Sequence, residues 1–242
     1  MIKFVIIGLP RSGTTYLMSM INAHPQAVCS GERFNPYSII GVAADRNDAF
    51  DAVLTRDYRA TAFFDASFAQ HHPKEPTAIG IKFMIGHNIE VLHHLASQPD
   101  LRLIYVHRAN KLAQITSLLR ALETGVWAET KHRPPAPPKA KLRCGPRVIS
   151  HHLHEYATQD MLFAHWFNGL PHQKMIVEYR DMHRPDFATT LCRFLGLPVV
   201  PDLRGTLQKQ GTNTILDRFE HRAVIAEYFA KTGHADWLGD EL

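Results

Sequence analysis

The chain has 242 residues, of which 45% are hydrophobic and 21% charged. These values sit near globular averages and exclude wholesale disorder, a collagen-like repeat and a disulfide scaffold. Its 27 Lys and Arg against 23 Asp and Glu leave a formal charge of +4, and 16 His make the surface more positive toward pH 6, a balance that suits a small anionic ligand better than a nucleic-acid coat.

Taken in chain order, Lys3 to Gly8 is a short apolar, β-branched run of the kind that fills a strand buried on both faces of a parallel sheet. A Gly/Pro-rich turn follows, then a helical spacing from Thr15 that stops before Pro25. Ala78 to Met84 reads as a second strand and Leu101 to His107 as a third, with a long helix from Lys111 to about Gly125. Residues 131 to 147 break the rhythm with five prolines and six Lys or Arg, which makes a loop: either a solvated connector or a flap over a substrate. Val148 to Gly169 is helical with an aromatic stripe (Tyr156, Phe163, Trp166, Phe167) read as core, and Lys174 to Tyr179 is the fourth strand. Strands alternating with helices predict a three-layer α/β fold with a central, mostly parallel sheet flanked by helices, built as one domain over residues 1–242. The apolar positions of residues 211 to 242 supply either a docked helix or the contact of a homodimer.

The three cysteines, Cys29, Cys144 and Cys192, are odd in number and lack CxxC spacing, so neither a disulfide framework nor a zinc site is indicated. The apolar start is too short for a signal-peptide core, and no segment holds 18 uninterrupted apolar residues. A cytoplasmic protein without a transmembrane segment is the expectation. The histidine clusters at 71–72, 93–94 and 151–154 lack HExxH spacing, so no metal site is expected.

Chemistry concentrates in Gly8-Leu9-Pro10-Arg11-Ser12-Gly13-Thr14-Thr15, between the first strand and the first helix. There the loop amides and a helix N-terminus converge on one point and attract an oxyanion. The spacing nearly matches the nucleotide-triphosphate loop GxxxxGK[ST], but Thr14 stands where that motif has Lys, and the cation has moved to Arg11. The third strand runs into His107 and Arg108, cations where a metal-binding acid would serve Mg·ATP. A donor with fewer charges at its 5′ end therefore fits better than ATP. A Mg-dependent nucleotide kinase or NTPase using the same loop is the alternative.

The hexapeptide from Pro10 to Thr15 resembles the 5′-phosphosulfate loop of sulfotransferases that use 3′-phosphoadenosine 5′-phosphosulfate (PAPS). His107-Arg108 followed by Lys111 to Trp127, with Ser117 inside it, is similar to the 3′-phosphate block of bacterial carbohydrate sulfotransferases of the trehalose sulfotransferase type. Glu178 to Met182 and Phe194 to Pro198 resemble two further blocks, and Lys209-Gln210 is a weaker echo. The resemblance implies a P-loop-like fold and transfer of a sulfuryl group from PAPS, without metal, to a hydroxyl of a carbohydrate or glycolipid. It assigns Arg11, Ser12, Gly13, Thr14 and Thr15 to the 5′-phosphosulfate, and Arg108, Ser117 and Lys209 to the remainder of the donor. Counting from the arginine, the cytosolic branch places its serine where Thr116 stands, whereas the Lys-Leu-Ala-Gln register selects Ser117. Glu32, just past the first helix, is the candidate base, paired otherwise with Arg33 as a capping glutamate. His87 is the second candidate, or else an acceptor-pocket or surface residue. Lys82 either adds charge near the sulfuryl group or snorkels to solvent from a strand end. Tyr179 is expected in the core.

Overall fold

The computed structural model describes residues 1–42, 45–69, 72, 74–128, 140–200, 203–207 and 211–242. It divides into two compact units, one of residues 1–107 and 169–206, the other of residues 108–168 and 207–242.

The first unit is built on a five-stranded parallel sheet in the order β2-β5-β1-β6-β7, made of Ile2–Gly8 (β1), Ala27–Glu32 (β2), Ala78–Met84 (β5), Arg102–His107 (β6) and Lys174–Glu178 (β7). A two-residue pair, Ile39–Ile40 (β3) with Arg46–Asn47 (β4), forms a separate antiparallel ribbon. β1 lies at the centre, and Phe4 to Ile7 are wholly buried, which is why every position of that stretch is apolar. Phe4 and Ile6 pack with Leu17, Met20 and Ile21 of the helix Thr14–Ala23 (α1) and with Leu191 of the helix Phe187–Phe194 (α7). Val5 and Ile7 are equally buried, which fits the alternation of side chains across a sheet covered by helices on both faces. Because the strands are parallel, all five carboxyl ends share one edge. The strand order reverses about β1, and in such sheets the crevice at that point is where ligands sit.

Three helices complete the first unit: Phe50–Tyr58 (α2), Ala60–Ala66 (α3) and Ile89–Ala96 (α4). β2 is a strand that the sequence pattern does not announce. Its Ala-Val-Cys-Ser-Gly-Glu composition carries little strand signal, and pairing with β5 makes it a strand.

The second unit holds the helices Lys111–Thr124 (α5), Pro146–Gly169 (α6, whose last residue falls in the first unit) and Arg222–Lys231 (α8). Leu112, Ile115, Ile149, Leu153, Ile215, Phe219, Ile225 and Phe229 form its core. The apolar positions of α8 thus serve a packed helix. Tyr156, Phe163 and Phe167 of the aromatic stripe are buried. Of the basic, Pro-rich loop, residues 131–139 lie outside the described part. At its far side Leu142 is buried and bridged to Phe219, with its N–H donating to the Arg218 carbonyl at 2.8 Å. Pro146 and Arg147 already belong to α6, with proline at the first helical position where its missing N–H costs nothing.

Candidate functional site: a phosphate loop and a buried carboxylate–lysine pair

The loop from Leu9 to Gly13 turns the chain from β1 into α1. Arg11, at φ +66°, and Gly13, at φ +107°, both adopt backbone angles with positive φ, and a non-glycine residue held there costs free energy that folds tolerate mostly at functional sites. Gly13 also has no room for a side chain, since a Cβ would come within 2.7 Å of Met182 and of the Tyr179 ring. Tyr179 is therefore a core residue that also shapes the loop from below.

α1 begins without any capping side chain and without an acid in its first turn. Its first N–H groups and its positive dipole end thus face the loop with no acid of that turn to cap them. Ser12 is 1% exposed, yet its hydroxyl has no hydrogen-bond partner among the described residues. A buried hydroxyl normally finds one, and an oxyanion in the loop would supply it. Thr14 is buried with its hydroxyl on Met84 Sδ at 3.8 Å. The five loop residues expected to hold a 5′-phosphosulfate are thus consecutive around one helix N-terminus, and the donor set fits such a group.

Glu32 is the last residue of β2 rather than part of a free loop, set off by a register irregularity after Ser30. Its cross-strand partner is Lys82 on β5, and Lys82 Nζ lies 2.8 Å from Glu32 Oε1. The same ammonium donates to Thr15 Oγ1 at 2.8 Å. Lys82 is 5% exposed, so it does not snorkel. It links the candidate base to the first turn of α1. Asn35 Nδ2 donates to Glu32 Oε2 at 2.8 Å, and His87 Nε2 is 3.8 Å from the same oxygen. The two base candidates therefore share one cluster, and His87 is not a surface residue.

Burial pushes the Glu32 carboxyl up, but the Lys82 charge and the hydrogen bonds from Lys82 and Asn35 outweigh it and hold the group below its ordinary range. Burial drives His87 down to about 4; the Glu32 charge opposes this, while those of Lys82 and Arg56 add to it. At neutral pH Glu32 is therefore a carboxylate and His87 a neutral imidazole. His87 Nδ1 is buried without a partner among the described residues. Lys82, Asn35 and His87 surround the Glu32 carboxylate, while Arg33 Nε donates to Ser67 Oγ at 2.9 Å.

Beside this chain segment lies a cavity of about 540 Å³ lined among others by Ile39, Asp51, Thr55, Arg56, Arg59 and Phe63. Arg56 Nη1 donates to the carbonyls of Arg33, Asn35 and Ser38 at 3.1, 2.7 and 3.4 Å. It fixes the turn that follows Glu32. The sequence gives no sign of this, because the three acceptors are backbone atoms 18 to 23 residues away.

The 3′-phosphate candidates belong to the second unit. Arg108 is 5% exposed and forks onto Glu241, Nε to Oε1 and Nη2 to Oε2 both at 2.6 Å. Thr116 is wholly buried, donates to the Ala113 carbonyl at 3.0 Å and accepts from Arg218 Nη1 at 2.8 Å, so it is committed to the core. Ser117 is 7% exposed on the same helix. Lys209 lies outside the described residues. Sequence reasoning misses Arg218 and Glu241, which no motif marks. On α6, one ligand atom each from His151, His152 and Glu155 lie within 4.8 Å of one another, although His152 Nδ1 is already 3.4 Å from Glu155 Oε2. No helix among the described residues is long and apolar enough to cross a membrane.

A family model described as the Sulfotransferase family matches residues 4–202. Nodulation protein H of Rhizobium meliloti strain 1021 is 26% identical over 240 residues, covering 96% of this chain and 93% of its own length. Nodulation protein H of Rhizobium tropici is 25% identical over 244 residues, 97% and 92% of the two chains. Two solved structures also align: a sulfotransferase from Alicyclobacillus acidocaldarius (TM-score 0.47, 14% identity, 98% of this chain and 94% of that one) and the sulfotransferase STF9 from Mycobacterium avium (0.43, 12%, 99% and 77%).

Proposed function

The chain belongs to the Sulfotransferase family and is a PAPS-dependent sulfotransferase, and from that premise we propose that it sulfates a hydroxyl of a carbohydrate or glycolipid by in-line displacement with Glu32 as base. The observation that carries the mechanism is the run from Glu32 through Lys82 to Thr15, which ties a carboxylate to the first turn of α1 through one ammonium. When the sulfuryl group lies over the loop, the acceptor oxygen forms a bond to sulfur as the bond from sulfur to the 5′-phosphate oxygen breaks. The acceptor proton passes to Glu32, and adenosine 3′,5′-bisphosphate leaves. Arg11, Ser12, Gly13, Thr14 and Thr15 hold the 5′-phosphosulfate, with Arg11 and Lys82 meeting the charge that grows on the leaving phosphate. Sulfuryl oxygens compete for Lys82, and each contact they take from Glu32 raises the basicity of that carboxylate. Arg108 and Ser117 take the 3′-phosphate, and Lys209 is assigned to the donor as well. These side chains supply the positive charge that a metal would otherwise supply, so the reaction proceeds without one.

The resemblance of the motif blocks to carbohydrate enzymes supports the acceptor class. So does the cavity beside the turn after Glu32, where Asp51, Arg59 and Phe63 combine charge with an aromatic face. With this goes the proposal that residues 1–242 act as one sulfotransferase domain. Three cysteines that are all free thiols support a reducing site of action, the cytoplasm.

The test is titration calorimetry with adenosine 3′,5′-bisphosphate, adenosine 5′-monophosphate and ATP, with and without Mg²⁺, followed by turnover of PAPS on a carbohydrate panel in EDTA. The bisphosphate should bind best without metal, and Arg108→Ala should remove its advantage over the monophosphate. Preferential binding of Mg·ATP, or turnover that stops in EDTA, would overturn the reading.

A further inference from the structure

Glu241 has no role in the scheme above, yet its carboxylate is held as a phosphate would be. Both of its oxygens are taken by the Arg108 fork at 2.6 Å, and Arg218 Nη2 stands 3.8 Å from Oε2. Arg218 is itself pinned, with Nε and Nη2 on the Thr212 carbonyl at 3.1 and 2.8 Å and Nη1 on Thr116. All three charged side chains are at most 5% exposed. Two guanidiniums around one carboxylate, out of water, form a site of the kind that receives a tetrahedral dianion, since arginine forks match carboxylate and phosphate alike. The chain bearing Glu241 lies antiparallel to residues 213–215: the Glu241 N–H donates to the Asn213 carbonyl at 3.3 Å, that of Leu242 to Asn213 Oδ1 at 3.0 Å, Asn213 Nδ2 donates back to the Leu242 carbonyl, and Thr214 is bridged to Asp240. A buried ion pair of this type adds little net stability over an apolar pair, so its presence calls for another use.

We propose that Glu241 is an internal stand-in for the 3′-phosphate of the donor: its carboxylate occupies Arg108 when no nucleotide is bound and exchanges with the phosphate on binding. The inference rests on the reading that Arg108 takes that phosphate. A dianion offers the two arginines more charge and one more oxygen than the carboxylate does, so it wins the exchange, whereas a nucleotide with a bare 3′-hydroxyl leaves the pair intact. Glu241 thereby sets how tightly nucleotide 3′-phosphates are held, and its return to Arg108 assists departure of the bisphosphate product.

The experiment measures the dissociation constants of adenosine 3′,5′-bisphosphate and adenosine 5′-monophosphate for wild type, Glu241→Gln and Arg108→Ala. Removing a charged competitor from Arg108 should tighten the bisphosphate by about tenfold in Glu241→Gln and leave the monophosphate unchanged. In parallel, hydrogen exchange of wild type should speed up at the Glu241 and Leu242 amides when the bisphosphate binds and stay constant with the monophosphate, a reading that survives even where the variant does not fold. If Arg108→Ala abolishes the bisphosphate preference while Glu241→Gln binds no tighter and exchange at residues 241 and 242 does not change, the pair is structural, and the inference falls while the donor reading stands. If wild type shows no preference for the 3′-phosphate, the assignment of Arg108 falls and takes the inference with it.

Discussion

The molecule carries two regions suited to anions, built on opposite plans. The phosphate loop is made of backbone: a strained turn, an uncapped helix start, and a Ser12 hydroxyl that is buried without a partner among the described residues. The Arg108 region is made of long side chains, and its fork is already filled by Glu241. A backbone site keeps its shape without a ligand because the fold has fixed its dihedrals. A side-chain site has charge to neutralise and recruits a carboxylate until a better anion arrives. The loop is therefore expected to define where the reacting group lies, and the arginine region to govern how long the nucleotide stays.

The largest effect should come from the group that joins the loop to chemistry. Glu32→Gln removes the proposed base but keeps the shape of the Lys82 and Asn35 contacts. Single-turnover transfer from PAPS should fall by about 10²–10⁴-fold, the usual worth of a positioned base. Affinity for adenosine 3′,5′-bisphosphate should change little, because the arginine region is untouched. Wild-type transfer in Glu32→Gln would break the assignment and move attention to His87, 3.8 Å from the same carboxylate.

One side of this contrast is legible in the sequence and the other is not. The loop lies between an all-apolar strand and a helix with regular spacing, so local pattern is enough to place it, and Glu32 follows soon after α1. The same kind of pattern places β1, β5, β6, β7, α5 and α6 to within a residue or two, because buried parallel strands and amphipathic helices carry their own signal. β2 lacks that signal, and the cross-strand partnership of Glu32 and Lys82 is hidden with it, since register between strands 50 residues apart is not a local property. Glu241 is further out of reach: its partner lies 133 residues away, and a lone glutamate carries no motif.

The second effect concerns His87 and follows from pH. Its protonation lies at about 4 in the folded chain against an ordinary 6.5, chiefly because of burial. Between those values the unfolded chain binds a proton that the folded chain refuses, so stability rises with pH across the window and is lost as pH falls toward 4. The full difference corresponds to about 3 kcal/mol. Denaturant unfolding of wild type and His87→Gln at a series of pH values from 7 to 4 isolates this residue from the other histidines. The wild-type curve should lose stability faster than the variant's as pH drops, and parallel curves would show that His87 charges freely in place.

The last effect separates backbone design from ordinary capping. Gly13 and Gly125 both have positive φ, +107° in the loop and +68° at the end of α5, but their surroundings differ. A Cβ at Gly125 would meet nothing within 4 Å, whereas one at Gly13 would press on Met182 and Tyr179 at 2.7 Å. Gly125→Ala should cost about 1 kcal/mol, the penalty of a left-handed residue in open space. It should leave nucleotide binding as it was. Gly13→Ala adds to a comparable backbone penalty the displacement of packed side chains, about 1–3 kcal/mol more. Because those side chains support the loop from below, the extra cost should appear in binding as well as in stability. Adenosine 5′-monophosphate, which tests the loop without the 3′-phosphate, is the ligand to use. Weakened binding in Gly13→Ala alone would tie the loop's affinity to its backbone shape; equal binding in both variants would mean that the side chains of Arg11 and Lys82 hold the phosphate by themselves.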